Sequence, residues 1–495
     1  MKMNKCTWFT AALGAIIVTM TVPVFAQDTF ILEKRATAKS VDRYGDLPLG
    51  AVIRSDERYG RDGLFQGPRG WDYWNRLENP KPYQNPNLWP DKRPTYFVGE
   101  MVMPAGSSLT IRGRFPYARY FKFALYKFEH NTFVALGGED LAGYDIEPDP
   151  GSGNPFKVGA DRLIKNRNYT IHVLAEDPPK NRADRPKNTV YVGRDGQAVQ
   201  PVLRIYLSDK GYDGAGWGPG DSPSLEGPGI TYEAKLADGT RLSAEEVVKR
   251  FSRTLGAAPP PLTADEWYRL VNNKDNDPRL TPATAPARPD SPWELFWGMK
   301  YTVAGAFMTP EKRAKIKLQT EMEGGGDPTT AYMVTYLSRN FGPVYVFRAK
   351  MPTFPNTFAG TRIMPDGQVK YWSVATMASA PSGELWDGVC DMMVPLDKDG
   401  YYTIVVSRPE DRPKNATSEK GVAWIDWGPG EGLNDPRNRT DLGMLLMRFM
   451  VCQPGWENSP AKVHKPGMEA AVMGPYYPRG YYTTKEEFEA KGPKK

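Results

Sequence analysis

The residues most suggestive of metal chemistry form an acidic cluster, Asp145, Glu147 and Asp149, directly before a turn that contains glycine. Carboxylates at positions i, i+2 and i+4 can converge their oxygens on a hard cation, and Ca²⁺ prefers a shell of oxygen ligands. The match to a calcium-binding loop is partial, because Pro150 intrudes before Gly151. Two interpretations stay open: a calcium site formed by the three acids, or a loop with solvated acids.

His172 is the histidine best placed for acid–base chemistry. It lies on the face of a predicted strand opposite Tyr169, Ile171 and Val173. An enzyme without a cofactor, a hydrolase or lyase, would use His172 together with Arg119, Tyr120 and Asp145, which we expect as its neighbours. The alternative is a histidine that packs in the strand or faces solvent.

Arg204 and Arg448 each interrupt an otherwise apolar strand, in the segments VLRIYL and LMRFMV. A buried guanidinium without a partner is costly, so each arginine should be paired or should reach solvent. Asp145 and Asp391 are the acids that we expect as partners. A clamp for the carboxylate of a ligand is the functional alternative to such a structural ion pair.

Several classes of function are disfavoured by what the sequence lacks. It contains no serine-hydrolase elbow, zinc-protease helix motif, phosphate-binding loop, dinucleotide fingerprint or C-x-x-C pair. The three histidines are too few for most sites built from several imidazoles. The net charge of +6 is spread among both signs, without the concentrated basic face that nucleic acid requires. We therefore expect no nucleic-acid partner, and no cofactor unless the acidic cluster binds Ca²⁺.

Aromatic residues make up 12% of the chain, and several tryptophans come in close pairs. Such rings can line grooves for sugars or hydrophobic ligands, but most tryptophans in β-sandwiches pack in the core. We assign Trp372 and Trp424 to the core. The roles of the remaining pairs stay open, namely Trp71 with Trp74 and Trp293 with Trp297.

The elements that must position these residues are short β-strands. Apolar and polar residues alternate with a period of two in Leu109–Phe115, Tyr120–Leu125 and Tyr169–Val173, and Val202–Leu207 is a further strand. His130-Asn131 is placed like the tip of a hairpin. With 46 prolines and 48 glycines, the chain favours short strands and many turns. The expected fold class is mainly β, with antiparallel sandwiches or jelly rolls.

A set of segments recurs in the same order in the two halves of the chain, which indicates two tandem copies of one unit. The echoes are Pro94–Tyr96 with Pro328–Thr330, Thr110–Pro116 with Val346–Pro352, Arg119–Phe121 with Lys370–Trp372, Tyr169–Val173 with Tyr402–Val406, Asp184–Asn188 with Asp411–Asn415, and Arg204–Tyr206 with Arg448–Met450. In this alignment the counterpart of His172 is Val405.

Helix signals lie mainly between the copies. Ser243–Glu246 and Thr263–Glu266 have the composition of capping boxes, and they open predicted helices that run to Leu255 and Val271. A last short helix is predicted near Lys485–Lys491. The resulting division is a leader (1–26), an irregular Trp-rich arm (27–91), a first β domain (92–208), a linker with a helical insert (209–324), a second β domain (325–452) and a loop-like tail (453–495).

The N-terminus has the pattern of an export signal. Lys2 and Lys5 precede the apolar stretch Trp8–Phe25, and the stretch ends in the small–x–small pattern of Val24-Phe25-Ala26. The stretch is short and weakly apolar for a membrane anchor. We predict cleavage after Ala26, no membrane span in the mature protein, and a location in the periplasm or outside the cell.

The mature chain would keep two cysteines, Cys390 and Cys452. In an oxidising compartment the two could form a disulfide, and two free buried thiols are the alternative.

Two longer strings carry a resemblance. Ala118–Tyr120 followed by Asp145–Phe156 (DIEPDPGSGNPF), and later Tyr402–Ser407 followed by Asp411–Trp427, resemble a family of exported, functionally uncharacterised bacterial proteins. The resemblance covers roughly residues 90–210 and 325–480. It implies an exported β-rich protein and assigns no catalytic residue.

Three functions are compatible with these observations. The first is an exported binding or accessory protein that holds a small organic or saccharide ligand where the two β domains meet. The second is the cofactor-independent hydrolase or lyase described above. The third is a structural subunit of an envelope assembly. The sequence does not settle the oligomeric state.

Overall fold

A computed structural model of the protein describes residues 72–73, 89–99, 101–129, 132–194, 198–210, 212, 230–251, 262, 264–319, 326–378, 381, 383, 385–430 and 441–493. The predicted leader, most of the arm with Trp71 and Trp74, and the hairpin tip His130-Asn131 lie outside these residues.

The described chain is mainly β, which confirms the expected fold class. The strands of the first half are β1 (Asp72–Tyr73), β2 (Thr95–Val98), β3 (Met101–Val102), β4 (Ser108–Arg114), β5 (Ala118–Glu129), β6 (Thr132–Ala142), β7 (Asn168–Leu174), β8 (Thr189–Tyr191), β9 (Ala198–Ser208), β10 (Thr231–Lys235) and β11 (Arg241–Leu242). Those of the second half are β12 (Glu294–Leu295), β13 (Thr330–Ser338), β14 (Val344–Lys350), β15 (Tyr371–Met377), β16 (Leu385–Cys390), β17 (Tyr401–Ser407), β18 (Ala423–Asp426), β19 (Leu442–Met450) and β20 (Arg479–Thr483).

Each half forms a sandwich of two sheets. In the first half the strand orders are β1-β2-β9-β5-β6, with β3 also on β9, and β11-β10-β4-β7-β8. In the second half they are β12-β13-β19-β15-β16 and β18-β17-β14-β20. We call the sheets that contain β9 and β19 the inner sheets and the other two the outer sheets. The inner order β2-β9-β5-β6 matches β13-β19-β15-β16, and the outer order β10-β4-β7-β8 matches β20-β14-β17-β18.

Strand registers place most of the sequence echoes at equivalent positions. Arg204 lies opposite Tyr96 on β2, and Arg448 lies opposite Tyr332 on β13. The echo proposed for Pro94–Tyr96 is wrong by two residues, since Tyr96 corresponds to Tyr332 and not to Thr330. The common strand order and these registers are what a tandem duplication would produce.

Burial explains why the inner strands are almost continuously apolar. In β7, an outer strand, Tyr169, Ile171 and Val173 are buried and the residues between them are partly exposed. In β19 all nine residues are buried, because one face packs on its own outer sheet and the other on neighbouring parts of the molecule. A strand covered on both faces is therefore apolar at nearly every position.

Three of the helices agree with the sequence predictions. They are α1 (Ala244–Phe251), α2 (Ala264–Val271) and, at the end of the chain, α5 (Lys485–Lys491); between them lie α3 (Pro310–Arg313) and α4 (Glu469–Met473). The capping box of α1 is reciprocal: the Ser243 amide donates to Glu246 Oε2 at 2.8 Å, and the Glu246 amide donates to Ser243 Oγ at 3.4 Å. A π-helix (Met299–Val303) and 3₁₀ turns complete the helical segments, the latter at Arg182–Asp184, Ala304–Phe307, Arg339–Phe341, Asp391–Met393, Pro409–Asp411, Ser418–Lys420, Pro460–Lys462 and Gly474–Tyr476.

The repeated unit is longer than the echoes indicate. The segment expected to be a linker supplies β10, which pairs with β4, and the tail expected to be loop-like supplies β20, which pairs with β14. These two strands are weakly patterned, because few of their residues are fully buried. β20 is the edge of its sheet, and only the two-residue strand β11 lies beyond β10. α1 packs on the first sandwich through Val247 and Phe251. α2 packs on the inner sheet of the second half, on the face that points away from its outer sheet. Trp267 of this helix is completely buried.

Cys390 and Cys452, the cysteines of the described chain, are both free thiols. Burial raises the pKa of Cys390 to about 12 and that of Cys452 to about 11, so both stay protonated near neutral pH. Among the residues that the structure describes, no helix is both long and apolar enough to cross a membrane.

Candidate functional site

The two inner sheets meet at a buried junction that contains charged residues. Arg204 of the first half approaches Asp327, just before β13, with Nη1 3.4 Å from Oδ2. Arg448 of the second half approaches Asp91, just before β2, with Nη1 3.8 Å from Oδ2. Each half thus supplies an arginine and the acid that neutralises the arginine of the other half. The expected partners Asp145 and Asp391 are therefore wrong for these arginines.

Asp327 makes short hydrogen bonds to two side chains besides its contact with Arg204. Its Oδ1 accepts hydrogen bonds from Lys122 Nζ at 2.7 Å and from Thr329 Oγ1 at 2.6 Å. Burial alone would raise the pKa of Asp327, but the charges of Lys122 and Arg204 outweigh it and hold the pKa well below its usual value. Asp327 is therefore ionised at neutral pH.

Asp91 has a similar position but different partners. Its oxygens accept hydrogen bonds from Tyr371 Oη at 3.0 Å and from Ser373 Oγ at 2.5 Å. Ser373 lies opposite Arg448, and Lys122 lies opposite Arg204. The position that holds a neutral hydroxyl in one half therefore holds an ammonium group in the other, and the junction is only approximately symmetric.

A third ion pair connects the halves. Arg119 Nη1 lies 2.7 and 2.6 Å from the two carboxylate oxygens of Asp391, and both side chains are completely buried. The backbone amides of Trp372 and Met392 also donate to this carboxylate. These contacts account for the charge of Arg119, so its predicted catalytic role with Asp145 has no geometric support.

Lys370 occupies the position in the second half that Arg119 occupies in the first, but it has no equivalent ion pair. Its side chain is 6% exposed. The carboxylate that it pairs with belongs to the exposed Asp366, whose oxygen is 4.0 Å from the ammonium. The ammonium lies 5.9 Å from the centre of the Tyr144 ring. Burial lowers the pKa of Lys370, because little nearby negative charge compensates for lost solvent.

The Tyr120 hydroxyl is a second polar group with incomplete hydrogen bonding, and it lies near Tyr144. This hydroxyl is buried and faces Thr329 without a hydrogen bond of ordinary geometry. The Tyr120 ring centre is 6.3 Å from that of Tyr144. Asp140 lies nearby and contacts Lys122 Nζ at 2.8 Å, with 17% of its side chain exposed. We call this group, Lys370, Tyr144, Tyr120, Asp140 and Lys122, the junction site.

The surroundings of the junction site are apolar. The tilted rings of Tyr206 and Tyr371 are in contact nearby, with ring centres 5.3 Å apart. Partly buried side chains complete the cluster, namely Phe358, Met392, Met393 and Val451. Tyr144 and Asp140 are partly exposed, so that one side of the cluster reaches solvent. Asp140 contacts Lys122, so Lys370 is the ammonium of the junction site that lacks a close carboxylate. With the two phenols and the apolar lining, it is suited to bind an organic anion.

The predicted catalytic set does not converge. His172 lies on the outer face of the first outer sheet, where Nδ1 is 3.4 Å from Thr110 Oγ1. Burial, followed by the charge of Arg112, lowers the pKa of His172. Arg119 and Tyr120 lie on an inner strand, across the core of the sandwich. Of the four predicted residues, only Tyr120 belongs to the junction site.

The described residues also give no geometric support to the metal site predicted at Asp145, Glu147 and Asp149. Among the residues that the structure describes, no three His, Cys, Asp or Glu side chains are grouped so as to hold a metal ion. Ile146 is buried in the core, and the backbone of Glu147 is bonded on both sides to the Asn188 side chain. These contacts fix the backbone as a turn, which leaves Asp145 and Glu147 exposed to solvent.

The segment that follows these acids, residues 150–156, has a structural role. The buried Asn154 amide donates to the carbonyl oxygens of Gly143 and Ile146, both at 2.7 Å. Its side-chain oxygen accepts a hydrogen bond from the amide of Phe156 at 2.8 Å. Asn154 therefore satisfies three backbone groups of a loop that has no sheet partners of its own.

The tryptophans divide differently from expectation. Trp372 is completely buried, as predicted, and Trp293 and Trp297 also belong to the second core. Trp424, which we assigned to the core, is partly exposed, and the Arg412 guanidinium lies 4.4 Å from its ring centre.

Sequence reasoning missed Lys370, Tyr144, Asp140 and Lys122. One signal was present for Lys370, since the repeat aligns it with Arg119. Arg119 and Lys370 are different cations at one repeated position, so each could have been checked for an acidic partner.

Comparisons with known proteins give only distant structural matches. No protein-family model matches the chain, and no curated protein matches it. The chain is similar to a crystal structure of a putative uncharacterized protein from Burkholderia cenocepacia, with 13% identity, a TM-score of 0.40, and 79% of this chain and 77% of that chain covered. It is also similar to the VPA0106 protein from Vibrio parahaemolyticus, with 12% identity, a TM-score of 0.32, and 80% and 90% of the two chains covered.

Proposed function

We propose that the protein is an exported binding or accessory protein for a small organic ligand with a negatively charged group. The observation that carries this proposal is the Lys370 ammonium, which is largely buried at the junction of the two halves without a close counter-ion. A buried charge of this kind is costly unless another group neutralises it. A bound carboxylate would supply the missing partner.

The neighbouring groups support an aromatic or otherwise apolar carboxylate over a neutral saccharide. The Tyr120 hydroxyl offers a donor without an existing partner, and Tyr144 offers a partly exposed ring. Methionine and phenylalanine side chains can adapt to an apolar ligand body. Export, as the leader predicts, is part of the proposal. The enzyme alternative loses its main support, because His172 lies across the core of the sandwich from Arg119 and Tyr120.

Benzoate is a suitable probe, since it combines a carboxylate with an aromatic ring. Isothermal titration at pH 7 should show benzoate binding to the protein and no binding of the neutral analogue benzamide. Lys370→Met should weaken benzoate binding by about tenfold or more, because a charge-assisted hydrogen bond contributes roughly 1.5–3 kcal/mol.

The matched control is Lys157→Met, which removes an exposed lysine outside the junction site. This variant should bind benzoate like the unmodified protein. Equal affinity of Lys370→Met and the unmodified protein would refute the proposed site, and failure of the protein to bind benzoate would refute the proposed ligand class.

A further inference from the structure

One arginine at the end of a long loop is buried without a carboxylate partner. Residues 143–167 connect β6 to β7, and Arg167 is the last residue of this loop. It is 1% exposed, and its Nη2 donates to the Arg162 carbonyl at 2.6 Å. Its Nε and Nη1 are buried without a hydrogen-bond acceptor. Among the residues that the structure describes, no carboxylate forms an ion pair with Arg167, so its charge is buried without direct compensation.

The acids closest to Arg167 are paired with other arginines. Asp209 is buried, and its Oδ1 lies 2.5 Å from Arg162 Nη2. Asp161 is partly exposed and lies 3.1 Å from Arg362. Both acids act on Arg167 only at longer range. Two buried guanidinium groups, those of Arg162 and Arg167, therefore share one buried carboxylate.

The other charged groups of this region do not supply the missing negative charge. Arg114, at the end of β4, adds positive charge beside Arg167. Burial lowers the pKa of Arg167 and the charge of Arg114 lowers it further, although Tyr117 and Asp209 act in the opposite direction. The guanidinium still stays protonated. The acids at the start of the loop interact with other basic groups, namely Asp145 with Arg182, Lys157 and Lys187, Glu147 with Lys187, and Asp149 with His172.

Comparison of the two halves indicates that the fold does not require this arginine. The strand registers align Arg167 with Gly400, the residue before β17. The Phe115 amide donates to the Arg167 carbonyl at 2.8 Å, and the Met351 amide donates to the Gly400 carbonyl at 2.9 Å. The second half thus makes the same backbone contact with a residue that has no side chain. The guanidinium is an addition to the repeated frame.

Two tyrosine rings hold the plane of the guanidinium. Its central carbon lies 3.7 Å from the centre of the Tyr117 ring. The Tyr117 ring stacks on Tyr212, with ring centres 4.5 Å apart and an angle of 24° between the planes. A ring attracts a cation through its face, and the N–H groups in the guanidinium plane still need acceptors. Arg167 is therefore fixed in orientation, with the N–H groups of Nε and Nη1 left to bind an anion.

We propose that Arg167, with Arg114 beside it, binds a phosphate group, either inorganic phosphate or a phosphate monoester. The guanidinium is well suited to phosphate oxygens. The Nε and Nη1 hydrogens point in different directions, and a tetrahedral phosphate offers more oxygens to them than a carboxylate does. The anion would enter beside Arg114 and Tyr212, which are both partly exposed. The site shares no residue with the junction site, so the two proposals can fail separately.

Isothermal titration with inorganic phosphate at pH 7, at an ionic strength held constant with sodium chloride, tests this site. The unmodified protein should bind phosphate more tightly than acetate. Arg167→Met should weaken phosphate binding about tenfold or more, because it removes charge-assisted hydrogen bonds. Without phosphate, the same variant should unfold at the same or a higher urea concentration, because an uncompensated buried charge is removed. An arginine with a merely structural role would make the variant less stable.

Three further titrations make the result specific. Arg194→Met changes an exposed arginine outside the site, and Lys370→Met changes the junction site; both variants should bind phosphate like the unmodified protein. Tighter binding of phenyl phosphate than of inorganic phosphate would assign the site to a phosphate ester, and equal affinity would assign it to free phosphate. Should Arg167→Met fail to fold, Arg114→Gln at a partly exposed position should still weaken phosphate binding several-fold.

Four results would overturn the proposal. They are no binding of phosphate by the unmodified protein, acetate binding at least as tight as phosphate binding, unchanged affinity in the Arg167 variant (or in Arg114→Gln, if that variant decides), and loss of phosphate binding in Lys370→Met. The last result would place the anion in the junction site.

Discussion

Replacing Asp391 by alanine is expected to lower the free energy of unfolding by about 3–5 kcal/mol. The variant leaves the Arg119 guanidinium completely buried, without the carboxylate that it contacts through two oxygens. It also removes the acceptor for the amides of Trp372 and Met392. Urea unfolding at pH 7, followed by tryptophan fluorescence, measures the effect.

Two controls separate loss of the ion pair from loss of packing. Arg119→Met combined with Asp391→Leu should recover much of the stability, because an apolar pair of similar volume leaves no buried charge. Glu233→Ala breaks an exposed ion pair with Arg112 and should have a much smaller effect, because solvent screens such a pair. If Asp391→Ala were no more destabilising than Glu233→Ala, the ion pair would not join the halves.

Asp327→Asn is expected to destabilise the protein by about 3 kcal/mol or more at pH 7. The substitution keeps the size of the side chain but removes the charge that neutralises Arg204 and, together with Asp140, Lys122. Because the pKa of Asp327 is lower in the folded protein than in the unfolded chain, ionisation stabilises the folded state above a pH of about 4. That contribution is lost as the pH falls toward the folded pKa.

The pH dependence gives this prediction a specific signature. The difference in unfolding free energy between the unmodified protein and Asp327→Asn should be constant from pH 7 to about pH 5 and should shrink below about pH 4. Urea unfolding at several pH values measures both curves. A difference that does not change between pH 5 and pH 3 would show that the charge of Asp327 is not what stabilises the junction.

Much of the fold follows from local patterns. The alternation in Tyr169–Val173 identified an outer strand, and the capping box at Ser243–Glu246 identified the start of α1. The same reasoning failed for β10 and β20, because strands at or next to a sheet edge with partly exposed residues have no strong alternation. Their pairing partners also lie far away in sequence.

The junction was only half visible in the sequence. The repeated arginines, Arg204 and Arg448, indicated that buried charges needed partners, and that inference is correct. Their acids could not be identified, because Asp327 and Asp91 each belong to the opposite half of the chain. Pairing Arg204 with Asp145 assumed that each half neutralises its own charge. Because the two inner sheets pack on each other, an acid of one half can neutralise an arginine of the other half.

The asymmetry between the halves is the basis for the functional proposals. Arg119 has its acid and Lys370 has none at close range, so only one of two equivalent positions is left to neutralise a ligand. A repeated unit gives the molecule its stable frame, and the proposed site rests on this departure from the repeat.

Differential scanning calorimetry of the unmodified protein tests the central claim, that the two sandwiches are one structural unit joined through exchanged charges. We expect a single cooperative transition, which Asp91→Asn combined with Asp327→Asn should split into two or shift to markedly lower temperature. Two well-separated transitions in the unmodified protein, both unmoved by these substitutions, would show that the halves fold independently and that no shared site exists between them.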